Sequence, residues 1–336
     1  MRRRTITLAA LALLALGSAQ PASAANWALP QIQAVVARGL MAPSVAEFRP
    51  NDPLTRVELG QLVYDLTQKQ QVVVNPTTPV NVRQLDARLV RVLGLGPAAA
   101  HVQSVAVNAG LRPRGRFGTE VVARLLRLRF DHPASQDALE LRPADPITRA
   151  ETAYSVARLL QLTSSDLQYA NDTAMSFSLP TLTTWQRRVL TRAVRFAGYP
   201  YVWGGMWEHT ETFGGVTSRG GFDCSGFAWR VYKLVPYDGA PQLGSTILGR
   251  TTYAMSGEFP RSQRVSRWRL RPADLVFFGD NGTASTPSQV GHMGIFLGHG
   301  WFIHSSSQGV TAVPLTGWYA DRFAWGRRPL REAGLS

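Results

Sequence analysis

The chain has 336 residues, room for two domains, and a single cysteine, Cys224, which excludes an intramolecular disulfide and a paired-thiolate metal site. Its formal charge is +14, or +11 without the three leading arginines, a surplus that favours a polyanionic partner. No segment is both long and apolar enough to span a membrane.

Arg2, Arg3 and Arg4, the apolar residues 6–16 and the small residues Ala22-Ser23-Ala24 read as a signal peptide over residues 1–24, of Sec or Tat type. The expectation is a secreted or cell-wall-associated protein, and not a lipoprotein, because no cysteine follows the cleavage site. Much of the basic charge lies in the second half, where Arg261, Arg264, Arg267, Arg269 and Arg271 cluster. For an exported protein the matching polyanion is a carboxylate- or phosphate-rich wall polymer rather than nucleic acid, or the cluster is simply a solvated surface.

An internal repeat organises the first half. Arg49-Pro50-Asn51-Asp52-Pro53-Leu54-Thr55-Arg56-Val57-Glu58 recurs as Arg142-Pro143-Ala144-Asp145-Pro146-Ile147-Thr148-Arg149-Ala150-Glu151. In each copy a turn precedes a Thr with a Glu three residues later, the pattern of a helix-capping box, and an amphipathic helix follows. Arg112-Pro113 through Thr119-Glu120-Val121 aligns as a decayed copy between them. Repeats of this kind are helical units that share one core.

Residues 163–180 read as a polar linker, and a helix is expected from about Trp185 to Phe196. Beyond it lie Tyr201-Val202-Trp203-Gly204-Gly205 and Phe222-Asp223-Cys224-Ser225-Gly226, the latter followed by Phe227, Val231, Tyr232 and Leu234 at helical spacing. A lone cysteine is either an inert buried residue or a nucleophile. At a helix N-terminus the free N–H groups and the dipole favour a thiolate and can hold an oxyanion.

A thiolate needs a base, and the base a partner to orient it. A strand is expected over 273–279, and a hairpin whose arms are 292–298 and 301–305. His292 opens the first arm and His304 nearly ends the second. A clean two-residue turn at His299-Gly300 would set them on opposite faces, so their meeting requires an odd loop or a bulge, which Gly298 and Gly300 permit. Gln308 or a backbone carbonyl is the alternative partner for His292. No Cys or His cluster has metal-ligand spacing.

Two resemblances follow from these motifs. Over roughly residues 26–162 the Thr-Arg-x-Glu helix starts resemble S-layer homology repeats, a family whose tetrad arginines contact anionic wall polymer. By position this implies Arg56 and Arg149. The middle copy departs from the tetrad, with Thr119 in place of the arginine and Val121 in place of the glutamate.

Residues 183–330 resemble the NlpC family of papain-like endopeptidases. The signals are Tyr-Val-Trp-Gly-Gly, Asp-Cys-Ser-Gly, Asp-Leu-Val-Phe-Phe, His-Met-Gly-Ile and Ile-His, in that order. The resemblance implies Cys224 as nucleophile, His292 as base and acid, and His304 as orienting residue. It implies Tyr201 at the oxyanion or substrate, Asp223 and Ser225 reading peptide, and no metal or organic cofactor.

The expected architecture is thus an all-α repeat domain (26–162), the linker, and an α+β papain-like domain (181–336). The expected partner is the stem peptide of peptidoglycan, cut between γ-D-glutamate and a diamino acid. A non-catalytic wall-binding or surface-layer protein and a thiol acyltransferase or amidase are the alternatives. Residues 206–221, carrying Trp207, His209, Glu211 and Phe213, lengthen the loop before Phe222 and are expected to wall or cover the groove.

Overall fold

The protein is described here from a computed structural model covering residues 26–335, so the expected signal peptide lies outside the described residues. The helical half comprises α1 (Leu29–Val36), α2 (Arg56–Thr67), α3 (Val82–Val92), α4 (Gly96–Asn108), α5 (Phe117–Leu125), α6 (Arg149–Gln161) and α7 (Ser164–Met175).

Side-chain caps, paired into capping boxes in α2 and α3, explain where three of these helices begin. Thr55 receives the amide of Glu58 and Glu58 that of Thr55, at 3.4 and 2.8 Å. Thr148 receives the amide of Glu151 at 3.2 Å. Asn81 and Gln84 do the same for α3, at 3.0 and 2.9 Å.

The residues before these three caps close a ring. Leu54 N–H donates to Ile147 O, Ile147 N–H to Val80 O, and Val80 N–H to Leu54 O, at 2.8, 2.9 and 2.8 Å, with all three side chains buried. The middle repeat is therefore Pro79-Val80-Asn81-Val82-Arg83-Gln84, not the stretch from Arg112 to Val121. The α5 helix starts instead from Arg116, at φ 83° with no side-chain cap, and its Glu120 is buried. At Gly118 α5 crosses α4 so closely that a Cβ would sit 1.9 Å from Ala99 O.

The expected linker is mostly helix. Thr163 and Asp166 cap one another to start α7, whose Ala170 and Ala174 are buried against α4 and α5. Phe177 follows, edge-on to Trp301 at 4.9 Å. Polar letters in this stretch were capping and solvent-facing positions of a helix, not solvated coil. One continuous hydrophobic core runs through both halves of the chain.

The second half begins with α8 (Thr184–Val194). Two small antiparallel ribbons follow, β1 (Met206–Trp207) with β4 (Gly221–Phe222) and β2 (Glu211–Phe213) with β3 (Val216–Ser218). Then come α9 (Cys224–Trp229), α10 (Gln242–Ser245) and α11 (Thr252–Gly257). The sheet is built from β5 (Leu275–Gly279), β6 (Val290–Gly298), β7 (Trp301–Ser306), β8 (Gly309–Pro314) and β9 (Phe323–Arg327), antiparallel in the order β8-β7-β6-β5-β9. A short helix, α12 (Trp318–Asp321), precedes β9. The α9 helix packs on β6 and β7, which brings the cysteine-bearing turn to the sheet.

The hairpin of β6 and β7 carries the expected irregularity. Ile295 faces Ile303 and Phe296 faces Phe302, but Gly298 faces Trp301, so Leu297 is an extra residue. Gly298, His299 and Gly300 all take positive φ in the turn. In the register of Ile295 with Ile303, His304 stands opposite Gly294, and His292 lies two residues along on the same face. A side chain at Gly294 would collide there, since its Cβ would lie 2.7 Å from Phe302 Cδ2 and 3.0 Å from His304 Cβ.

Candidate active site

Cys224 is the first residue of α9 and is 8% exposed. Asp223 caps the helix by accepting the amide of Gly226 at 2.5 Å. Gly226 must be glycine, because a Cβ would lie 1.9 Å from Gly205 O. The thiol lies 3.3 Å from Thr252 Oγ1, a residue of α11, and also receives the backbone amides of Met293 and Ser225. Burial first, then Asp223, push the thiol up to about 11 against those three contacts, so the resting group is S–H.

His292 and His304 meet on β6 and β7, Nε2 to Nδ1 at 2.7 Å. Phe278 stacks on His292 with centroids 5.8 Å apart, and Tyr319 of α12 stands perpendicular to His304 at 5.2 Å. A hydrogen on His292 Nε2 donated to His304 Nδ1 leaves His292 Nδ1 free to take a proton. His304 then carries its own hydrogen on Nε2, which has no hydrogen-bond partner among the described residues. The partner of His292 is therefore His304, not Gln308 or a backbone carbonyl.

Burial lowers the His292 imidazole to about 4 and the His304 imidazole well below its ordinary value, the latter further depressed by His292. Above an ordinary pKa of about 6.5 folded and unfolded chains both hold His292 neutral. Below it the unfolded chain takes a proton that the folded chain refuses until about 4. Stability therefore falls as pH drops through that window, by on the order of 3 kcal/mol from His292. Urea unfolding across this range checks it, and His292→Gln should flatten the dependence.

Tyr201 lines the same groove as Cys224, and its phenol is pushed up by burial, then by Cys224 and Asp223, so it stays a donor. It forms a parallel bridge with Phe222, the residue two before the thiol. Arg250, which no motif singled out, braces this corner. Its guanidinium donates to Ser225 Oγ and Gly204 O at 2.8 Å each, and to both Asp223 oxygens at 3.2 Å. Asp223 and Ser225 are thus held by Arg250 beside the thiol.

The groove, about 370 Å³, is walled by Tyr201, Trp203, Phe213 and Tyr253 over a floor of Cys224 and Ser225. Its Phe213 comes from the lengthened loop, which is an ordered β-hairpin with Gly214 and Gly215 at its tip, both at positive φ. Phe213 rests against the Cα of Gly204. Glu211 accepts the amide of Met206 at 2.6 Å and Glu208 pairs with Arg230 at 2.6 and 2.7 Å, fixing the base of the hairpin.

The other expected site residues separate. Arg149 is 3% exposed and its guanidinium is spent internally, on Phe48 O, Glu58 Oε1 and Met41 O at 2.7, 2.5 and 2.5 Å. It ties the first repeat to the last rather than facing a polymer. Val82 occupies the arginine position of the middle repeat. Arg56 opens onto a groove of about 270 Å³, together with Arg88, Arg91 and Arg116 and with no carboxylate in its lining, whereas the groove that Arg149 lines also carries Glu47, Glu58 and Asp65. Among the described residues no Cys, His, Asp and Glu group could hold a metal ion, and no helix is long and apolar enough to cross a membrane.

A helix-borne cysteine is thus set against a histidine pair on an antiparallel sheet, in an α+β domain. Residues 198–328 match the family model of NlpC/P60 and residues 20–59 that of the S-layer homology domain. It is 32% identical over 143 residues to a gamma-D-glutamyl-L-lysine dipeptidyl-peptidase of Bacillus cereus, covering 40% of this chain and 34% of that protein. It is 31% identical over 132 residues to a probable peptidoglycan endopeptidase, LytE, of Bacillus subtilis, covering 39% and 30%. These matches thus span about a third of each relative's length. A crystal structure of an NlpC/P60 family protein from Bacillus cereus is also similar, at 27% identity and TM-score 0.33, covering 46% of this chain and 42% of that one.

Proposed function

We propose that the protein hydrolyses peptidoglycan stem peptides at the γ-D-glutamyl–diamino acid bond, using Cys224, His292 and His304. The observation that carries this is the meeting of His292 and His304 on one sheet face, where α9 packs with Cys224 at its first residue. His292 Nδ1 takes the thiol proton as Sγ attacks the amide carbon, with the negative charge moving to oxygen. The backbone amides at the start of α9 and the Tyr201 hydroxyl are the donors for that oxyanion. His292 then returns the proton to the leaving amine, giving a thioester. A water, deprotonated by His292, hydrolyses the thioester and restores the thiol. His304 Nδ1 accepts the His292 Nε2 hydrogen throughout and steadies the imidazolium. The test is digestion of muropeptides followed by mass spectrometry.

The helical half, in this reading, holds the enzyme on an anionic wall polymer in the groove of Arg56, Arg88, Arg91 and Arg116. Four cations without a lining carboxylate support it. Arg56→Ala and Arg88→Ala should each weaken sedimentation with wall sacculi by about 5- to 100-fold and lessen its salt dependence. Arg149→Ala should instead lower stability, because it strands the buried carbonyls of Phe48 and Met41.

A further inference from the structure

The segment 198–203 carries Tyr201, and each of its ends is tied to the helical half. Arg124 of α5 donates through Nη2 to Gly198 O at 2.9 Å. Asp137, in the 3₁₀ turn Ala134–Leu139, accepts the backbone amide of Trp203 at 2.8 Å. Both side chains are 4% exposed. Between these ties, Pro200 O accepts the amide of Phe222, and Tyr201 bridges to Phe222, so this segment is registered directly against the strand that delivers Cys224.

The same 3₁₀ turn packs on β3. Through β3 it backs the hairpin whose β2 strand lays Phe213 on Gly204 and into the groove. Two walls of the substrate groove, the Tyr201–Trp203 edge and the Phe213 hairpin, therefore lean on the helical half. A module that only tethers the enzyme needs no buried carboxylate aimed at an active-site amide. Such a carboxylate is costly to bury unless its hydrogen bond is used.

We infer that Asp137 and Arg124 are positioning residues, through which the helical half completes the substrate groove, so that the two halves act as one catalytic unit. Asp137 acts by holding the Trp203 amide and hence the angle at which Tyr201 and Trp203 face the thiol. The kinetic part of this inference rests on the endopeptidase reading. The structural part does not.

The test uses the full chain and its Asp137→Ala and Asp137→Asn variants, because removing Arg124 would also strand buried Glu120. Hydrogen exchange is followed by mass spectrometry over residues 199–205 and 212–218. In parallel, kcat and KM are measured on a muropeptide bearing L-Ala-γ-D-Glu-diaminopimelate. Expected for Asp137→Ala are faster exchange in both segments and a KM raised about 10-fold, with kcat changed far less. Asparagine keeps an acceptor for the Trp203 amide and should restore both. Should the alanine variant not fold, Asp137→Leu, similar in shape but without an acceptor, provides the same comparison. Wild-type exchange in a folded variant lacking the acceptor overturns the inference, as does an equal loss in the asparagine variant. If wild type itself cuts no muropeptide, the endopeptidase reading fails, and the exchange comparison still decides the structural claim.

Discussion

Cys224→Ala should lower muropeptide hydrolysis by about 10⁴-fold or more while leaving the fold intact. The chain has no second thiol to take over, and in the proposed mechanism the sulfur is the atom that forms the thioester. The stability cost should be small, because Sγ makes one side-chain hydrogen bond, with Thr252, and the helix cap is supplied by Asp223 rather than by the cysteine. Losing a buried S–H of this size is a minor packing change. Steady-state hydrolysis measured beside thermal unfolding separates the two effects. A wild-type rate in the alanine variant would remove the thiol from the chemistry.

The second large effect is expected at the histidine pair. His292→Ala removes the group that, in the proposed mechanism, both takes and returns the proton, and should cost about 10⁴-fold in kcat. His304→Ala should cost less, about 10²- to 10³-fold, because His292 stays but loses the acceptor that selects its tautomer. His304→Gln offers an amide oxygen near the same place and should recover part of the loss. The discriminating readout is additivity. If the residues act as one relay, the double variant is hardly slower than His292→Ala alone. Fully multiplicative losses would mean that His304 serves some other purpose. Tyr319 and Phe278 brace both rings, so neither substitution should shift the sheet.

The layout of the candidate site was legible in the sequence because its geometry is local. A capping aspartate followed by a cysteine, a serine and a glycine specifies a helix start, and the strand pattern around His292 and His304 fixes their faces once the bulge is allowed for. Elsewhere the letters misled. The middle repeat keeps its capping function with Asn81 and Gln84 but lacks Thr, Arg and Glu at the tetrad positions, so the tetrad pattern points to a stretch around α5 instead. The ring joining Leu54, Val80 and Ile147 is made of backbone bonds and has no side-chain signature at all. The apparent linker was read by polarity, although Thr163 and Asp166 are a capping pair and Ala170 and Ala174 mark a buried face. Arg149 illustrates the same limit: its position in the tetrad matches Arg56, yet burial against Phe48 and Glu58 gives it an internal task.

The contacts between the halves lay furthest beyond the sequence. Arg124, Asp137 and Arg250 sit in no motif, and each reaches its partner across 27 to 74 residues of chain. Their importance comes from where the fold puts them, beside the segment holding Tyr201 and beneath the flanks of Cys224. The shared core and these bonds make the helical half part of the groove's construction as well as the candidate wall-binding surface.

The most direct measurement is mass spectrometry of muropeptides carrying L-Ala-γ-D-Glu-diaminopimelate or L-Ala-γ-D-Glu-lysine after incubation with the full-length protein, beside Cys224→Ala. New fragments ending at γ-D-glutamate in the wild-type reaction alone are the expected result. Intact muropeptides in both reactions, with wild type and variant sedimenting equally with wall sacculi, would contradict it and leave a protein that binds the wall without cutting it.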